Sequence, residues 1–162
     1  MNDRVNGINP HVNLEGIEQG GYKLVYTEKP SEYLKASMAS RSSRDMWFSI
    51  GIALDNDGTI SDVRVGSAAD KAKLIPGQKI MAVNGRVYSK DLLHAAIRQS
   101  KTGSAPMHFI LQNDTWVSET DVEYHDGERY PTLVRVEGTP AYLDDITKPL
   151  AQDSAASTTG DK

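Results

Sequence analysis

The stretch that decides the fold spans residues 67–85 and reads SAADKAKLIPGQKIMAVNG. Ser67 predicts the start of a short helix, because its hydroxyl can accept a hydrogen bond from a free backbone N–H of the first turn. Lys79–Val83 predicts a strand. Asn84 and Gly85 follow and form the strongest hairpin signal in the chain, because a two-residue turn needs residues that accept a positive φ. The stretch therefore predicts a helix, a strand and a tight hairpin in close succession.

The flanking sequence predicts further short strands and helices. Residues 91–100 place apolar side chains at helical spacing, and Gly103 follows them. Strands are expected at Tyr22–Thr27, Ile52–Leu54, 60–65, 106–112, 116–124 and 130–136. Short helices are expected before Gly20 and after Pro140. Short strands with two helices at different points favour a partly open barrel of mostly antiparallel strands.

The composition excludes several classes of function. The 162 residues include 18 Lys+Arg and 22 Asp+Glu, which gives a net charge of -4. This charge argues against nucleic acid as a partner, because proteins that bind it carry a basic stripe. The chain has no Cys, so disulfides and thiolate metal sites are excluded. The sequence lacks any run of about 18 apolar residues, and so no membrane-spanning segment is predicted.

The sequence carries no catalytic constellation. Its histidines (His11, His94, His108 and His125) lack the spacing of a helical metal pair. Residues 55–58 resemble the start of a calcium loop, but Gly66 stands at the twelfth position, where that loop needs a glutamate. Neither a nucleophile elbow nor a phosphate-binding loop is present. The sequence therefore predicts a binding module without a cofactor.

The segment around Gly51 predicts a site for an anionic chain terminus. A glycine between Ile50 and Ile52 allows successive amides to point the same way, and such a nest of amides binds a carboxylate. The two isoleucines would form the walls of a pocket for the last side chain of a ligand. A strand edge beside them could accept the ligand as an added strand. A simpler interpretation stays open, in which Gly51 marks a bulge in a core strand.

The stretch at 67–85 closely resembles the central signature of bacterial PDZ domains, and the resemblance covers about 22–111. On this resemblance, residues 49–52 correspond to the carboxylate-binding loop of PDZ domains. Residues 91–100 correspond to the helix that lines their peptide-binding groove. Gln78 and Lys73 depart from the signature, which has Asp and Gly there. The resemblance implies an α+β fold, a PDZ-like partly open barrel. It would have five to six mostly antiparallel strands with two helices, plus a C-terminal strand and helix extension.

The rest of the chain resembles the C-terminal region of glycyl-aminopeptidase-type zinc metallopeptidases, which are thermolysin-like. The similar residues lie at 14–24 and 124–149. The resemblance implies a non-catalytic fragment of a bacterial enzyme, with zinc in a catalytic domain outside this chain and a cytoplasmic or periplasmic compartment left open. The implied domains are a lead-in with a linker helix (1–21), a PDZ domain (22–113) with a long loop at 28–46, an extension packed on it (114–150) and a disordered tail (151–162).

The resemblance also implies how a peptide would bind. Amides at 50–52 would receive its carboxylate, Ile52–Leu54 would pair with its backbone, and Leu92 would favour an apolar residue two positions before its end. The implied binding residues are Ser49, Ile50, Gly51, Ile52, Ala53, Leu54, Leu92, Ala96 and Gln99. Expected partners are peptide or protein C-termini, or the catalytic domain of the same protein. The alternative is a structural or dimerising domain with a closed groove.

Overall fold

A computed structural model describes residues 14–40 and 46–147 of the chain. Its helices are α1 (Glu15–Gln19), α2 (Glu32–Ser40), α3 (Ala68–Lys71), α4 (Lys90–Ser100) and α5 (Tyr142–Thr147). Its strands are β1 (Tyr22–Thr27), β2 (Ile52–Leu54), β3 (Ile60–Val63), β4 (Lys79–Val83), β5 (Arg86–Val87), β6 (Met107–Asn113), β7 (Trp116–Val122) and β8 (Tyr130–Arg135). No helix in these ranges is long and apolar enough to cross a membrane.

The strands form three small sheets. β5, β4, β6 and β7 lie side by side in that order, with antiparallel neighbours throughout. β2 pairs antiparallel with β3, and β1 pairs with β8. Asn84 and Gly85 connect β4 to β5 with φ values of 50° and 75°, the conformation that the sequence predicts for a two-residue hairpin. The oxygen Oδ1 of Asn84 also accepts a hydrogen bond from the N–H of His108 at 2.9 Å, which ties the turn to β6.

The chain divides into two compact units. The larger is Val25–Thr132, and the described residues of the smaller lie at 14–24 and 133–147. In the smaller unit, the guanidinium of Arg135 donates to the carbonyl oxygens of Gly21 at 2.7 Å and of Val136 at 2.6 Å. The domain limits inferred from sequence stay predictions, and residues 1–13 and 148–162 lie outside the described residues.

The hydrophobic core of the larger unit collects one face of α4 and the inner residues of the strands. Ser89 caps α4 by accepting the N–H of Leu92 at 3.2 Å, and the buried residues of the helix recur every three or four positions. The largest fully buried side chains are Phe109, Ile50, Ile52, Leu54, Ile60, Ile80, Leu93, Ile97, Leu111, Val83 and Val122. This core fixes α4 and β2 within one packed body.

The predicted mixture of antiparallel strands and a few helices is confirmed, while a barrel stays a prediction. The long loop predicted at 28–46, with a helical turn expected at its start, needs a correction, because it contains the nine-residue helix α2. The hydroxyl of Ser31 accepts the N–H of Leu34 at 3.2 Å, and Lys35 pairs with Glu32 at 2.6 Å. A capped first turn with an i,i+3 ion pair favours a helix over a loop. Four helices, α1 to α4, therefore precede β6, where the sequence predicts three, before Gly20, after Ser67 and at residues 91–100.

Candidate functional site

The predicted binding loop lies at the entry to β2 and is buried. Ile50 and Ile52 are 0% exposed, and Ser49 and Ala53 are each 4% exposed. Gly51 has a φ of +88°, and a Cβ placed on it would overlap the side chain of Ser67. The glycine is therefore required both by its left-handed backbone and by the close approach of the α3 cap.

Backbone groups of this loop are already engaged inside the chain. The N–H of Gly51 donates to the carbonyl oxygen of Met46 at 2.9 Å. The carbonyl oxygens of Ile50 and Gly51 accept the N–H groups of Ala69 at 3.0 Å and Arg64 at 2.8 Å. A ligand carboxylate that used the Gly51 amide would first have to displace the Met46 carbonyl. The loop is therefore a candidate that needs a local rearrangement before its central amide can bind.

The predicted residues of α4 do not all face this loop. Ala96, at 6% exposed, belongs to the core that also holds Ile50 and Ile52, and half-buried Leu92 packs against that core. The lining of a cavity of about 340 Å³ contains Ala96 and Gln99 but no residue of 49–54. That cavity is lined by Asn84, Ala96, Gln99, Ser100, Gly103, Ser104, Ala105, Pro106 and Met107. Six of the nine predicted residues therefore lie in a buried loop, Ala96 and Gln99 line a cleft beside the β4–β5 turn, and Leu92 packs against the core. Their common role stays a prediction.

A segment that the sequence argument did not assign to the site joins the loop to α4. We call residues 124–129, which follow β7, the bridging segment. The N–H of Arg129 donates to Oγ of Ser49 at 3.1 Å. The carboxylate oxygen Oε1 of Glu128 contacts Nδ1 of His94 at 2.6 Å and Nη1 of Arg98 at 3.1 Å. Two consecutive residues thus reach the start of the predicted loop and the exposed side of the predicted groove helix.

The electrostatics of this contact centre on Glu128. Its side chain is 10% exposed, against 16% for His94 and 57% for Arg98. A buried carboxylate needs donors to offset the loss of water, and an imidazole with a guanidinium one turn apart on α4 supplies them. Because a carboxylate only accepts hydrogen bonds, Nδ1 of His94 is the donor in this pair. The i,i+4 spacing of His94 and Arg98 is visible in the sequence, whereas nothing local marks Glu128.

Tyr124 anchors the start of the bridging segment. Its hydroxyl donates to the carbonyl oxygen of Gly127 at 2.7 Å. Burial, reinforced by the nearby charge of Asp126, raises the pKa of Tyr124 to about 12. Arg129 at the other end lies over the ring of Tyr26, 4.4 Å from its centroid. The segment is therefore fixed at both ends, with Glu128 between them.

A cavity of about 370 Å³ lies beside the Glu128 contact. It is lined by Glu28, Lys29, Pro30, Arg98, Lys101, Gly127 and Glu128. Lys101 forms an ion pair with Glu28. The lining therefore contains three basic and two acidic side chains around a space large enough for one or two residues of a peptide.

The described residues include no group of three or more His, Asp or Glu side chains that could hold a metal ion. His108 pairs with Asp121 at 2.7 Å, and His125 pairs with Glu123 at 3.2 Å. The hydrogen bond that His125 donates to the carboxylate of Glu123 raises the pKa of His125. His11 lies outside the described residues. In residues 55–58, which resemble the start of a calcium loop, the carboxylate of Asp57 accepts a hydrogen bond from the N–H of Thr59. It also accepts one from Nζ of Lys79 at 3.1 Å. The bond to Thr59 is typical of a turn.

Comparisons with known proteins include a match to a solved structure. No family model matches the chain, and no curated protein matches it. Among solved structures, the HtrA3 PDZ domain bound to a phage-derived ligand, FGRWV, is similar over 73% of this chain and 95% of that one. The identity is 14% and the TM-score is 0.34. A likeness of this size does not establish a family, and the aminopeptidase parent stays a prediction from the sequence.

Proposed function

We propose that the unit Val25–Thr132 is a PDZ-type peptide-binding module that takes a C-terminal carboxylate between β2 and α4. The observation that carries the proposal is the seating of Glu128 and Arg129. This dipeptide gives a main-chain N–H to Ser49 and a carboxylate to α4. A peptide terminus carries the same two kinds of group, a main-chain N–H and a carboxylate.

Two features of the entry to β2 support the same proposal. Gly51 adopts the left-handed backbone expected of a carboxylate-binding turn, and buried isoleucines flank it on both sides. The signature that follows, at 67–85, forms a helix capped by Ser67 through Oγ to the N–H of Asp70 at 3.2 Å. It then forms β4 and the predicted hairpin. The expected ligands are peptide or protein C-termini. From the sequence resemblance we extend the proposal to a parent zinc metallopeptidase, whose catalytic domain is an alternative partner.

A second candidate function is a structural or dimerising domain with a closed groove. The bond from the N–H of Gly51 to Met46 favours it, as does the complete burial of Ile50 and Ile52. On this hypothesis the loop residues serve the core alone. The two candidates differ in one measurable property, which is saturable binding of a free chain terminus.

Fluorescence polarisation tests the proposal with labelled hexapeptides that end in Val, Ile, Leu or Phe, each made as the free acid and as the amide. We expect saturable binding of a free acid in the micromolar range, because one or two charge-assisted hydrogen bonds are partly offset by the ordering of the peptide. Amidation removes the charge and lowers the affinity. Chemical-shift changes on binding are expected at Ser49, Ile52 and α4. Absence of binding by every free acid would leave the structural candidate.

A further inference from the structure

The turn that precedes Gly51 holds two amides on one acceptor. The carbonyl oxygen of Met46 accepts the N–H of Ser49 at 3.2 Å and the N–H of Gly51 at 2.9 Å. The N–H of Ile50 lies between them in the chain, and it makes no hydrogen bond to any residue that the structure describes. Successive amides that converge in this way form a concave site for an anion. The Met46 oxygen therefore occupies the position in which an oxygen of a ligand carboxylate would be received.

Contacts between side chains hold this turn in place. The ring centroids of Phe48 and Tyr26 are 6.2 Å apart, and the guanidinium of Arg129 lies 4.4 Å from the Tyr26 centroid. The N–H of Arg129 donates to Oγ of Ser49 at 3.1 Å. Because Phe48 and Ser49 are neighbours in the chain, these contacts form a closed ring. We call Tyr26, Phe48, Ser49 and Arg129 the latch.

The latch differs from the core in its exposure. Tyr26 is 44% exposed, the side chain of Arg129 is 38% exposed, and Phe48 is half-buried. Met46 is 2% exposed, and its side chain belongs to the hydrophobic core. An aromatic pair and a cation–π contact are weak at exposed positions. The latch can therefore open while the side chain of Met46 stays packed.

We propose that residues 46–49 form an autoinhibitory strap, in which the Met46 carbonyl occupies the amides of Ser49 and Gly51 and the latch holds it there. The inference rests on the proposed function, and it adds the amides that receive the ligand and the contacts that control access to them. On opening, the Met46 carbonyl turns away and a carboxylate oxygen of the ligand takes its place. A carboxylate accepts stronger hydrogen bonds than a neutral carbonyl does, and this difference opposes the cost of opening the latch.

The strap lowers the apparent affinity of the native protein for a peptide. Only molecules with an open strap bind, so the affinity is reduced by the fraction of molecules that are open. A substitution that removes a latch contact raises this fraction and leaves the amides unchanged. Tyr26 is the most informative position, because its ring makes two of the three latch contacts and its backbone lies in β1, outside the strap.

The test compares Tyr26→Leu with the control Tyr33→Leu. Both variants exchange a tyrosine for a leucine, but Tyr33 is 83% exposed on α2 and is not part of the latch. With the labelled free-acid hexapeptides, we expect Tyr26→Leu to bind about two- to fivefold more tightly than the native protein, which corresponds to the loss of one exposed cation–π contact from the closed state. Tyr33→Leu is expected to bind as the native protein does.

A second pair of variants decides the question if Tyr26→Leu does not fold. Arg129→Gln and Arg86→Gln each remove one positive charge, so the long-range attraction for an anionic peptide falls by a similar amount in both. Arg86 is exposed on β5. Only Arg129→Gln removes the cation from the ring of Tyr26, and it keeps the N–H that Ser49 accepts. We expect Arg129→Gln to bind about two- to fivefold more tightly than Arg86→Gln.

Two readouts keep this inference separate from the proposed function. Equal affinity within each pair of variants would overturn the strap while leaving peptide binding intact, whereas binding by no variant would overturn the proposed function itself. Hydrogen exchange of the Gly51 amide needs no ligand. It should be faster in Tyr26→Leu than in Tyr33→Leu, because the bond to Met46 opens more often. Equal exchange in the two variants would overturn the latch by itself.

Discussion

Replacement of Gly51 by alanine tests the geometry on which the loop depends. The left-handed backbone at this position costs an L-residue about 1–2 kcal/mol. The new Cβ would also overlap the side chain of Ser67, and relief of such overpacking costs about 1–3 kcal/mol. The two terms together predict a loss of roughly 2–5 kcal/mol, which is a large part of the ordinary stability of a domain.

Gly77→Ala is the matched control. Gly77 has a φ of +92°, and a Cβ placed on it meets no atom within 4 Å. This variant therefore carries the backbone cost without the overlap, and we expect it to lose about 1–2 kcal/mol. Urea unfolding followed by tryptophan fluorescence measures both variants, since Trp47 lies close to the loop in sequence and is half-buried. Gly51→Ala should be the less stable by about 1–3 kcal/mol.

A double variant sharpens the test. Ser67→Gly removes the atoms that the new Cβ would strike, and glycine replaces a helix cap at a cost of only a few tenths of a kcal/mol. The loss caused by Gly51→Ala should therefore be smaller in the Ser67→Gly background than in the native one. If Gly51→Ala is no worse than Gly77→Ala, or if the Ser67→Gly background gives no recovery, the close approach at this turn is not what requires glycine.

The remaining predictions concern Tyr124 and Asn84. The raised pKa of Tyr124, about 12 in the folded protein against an ordinary value of 10.0, means that its stabilising effect is complete below pH 10 and is lost as the pH rises towards 12. Urea unfolding at pH 9 and pH 11.5 should show a larger loss for the native protein than for Tyr124→Phe, and equal losses would contradict the burial argument. Asn84→Ala should lower stability by about 1–2 kcal/mol, because it removes the acceptor for the N–H of His108 and a residue that tolerates positive φ. Asn84→Asp keeps both features and should lose little in the same urea unfolding assay.

Local signals in the sequence were sufficient for much of the fold. The limits of β1 and β4 agree with the predicted strands, and Asn84 with Gly85 gives the hairpin. Each of these elements depends on a few neighbouring residues whose backbone preferences are strong. The helix α2 was underestimated, because Ser and Lys between its apolar residues resemble the composition of a loop. The cap by Ser31 and the ion pair at its start are geometric, and composition does not contain them.

The candidate site was less accessible to sequence reasoning, because its decisive contacts are not local. His94 and Glu128 are 34 positions apart, and Ser49 and Arg129 are 80 positions apart. The polar sequence around Glu128 has the composition of an exposed turn. The bond between Gly51 and Met46 is close in sequence, yet it depends on a turn at 46–50 that no turn-forming glycine or proline marks. Sequence patterns can therefore locate the loop at 49–52, but its hydrogen-bond partners within the chain depend on tertiary packing.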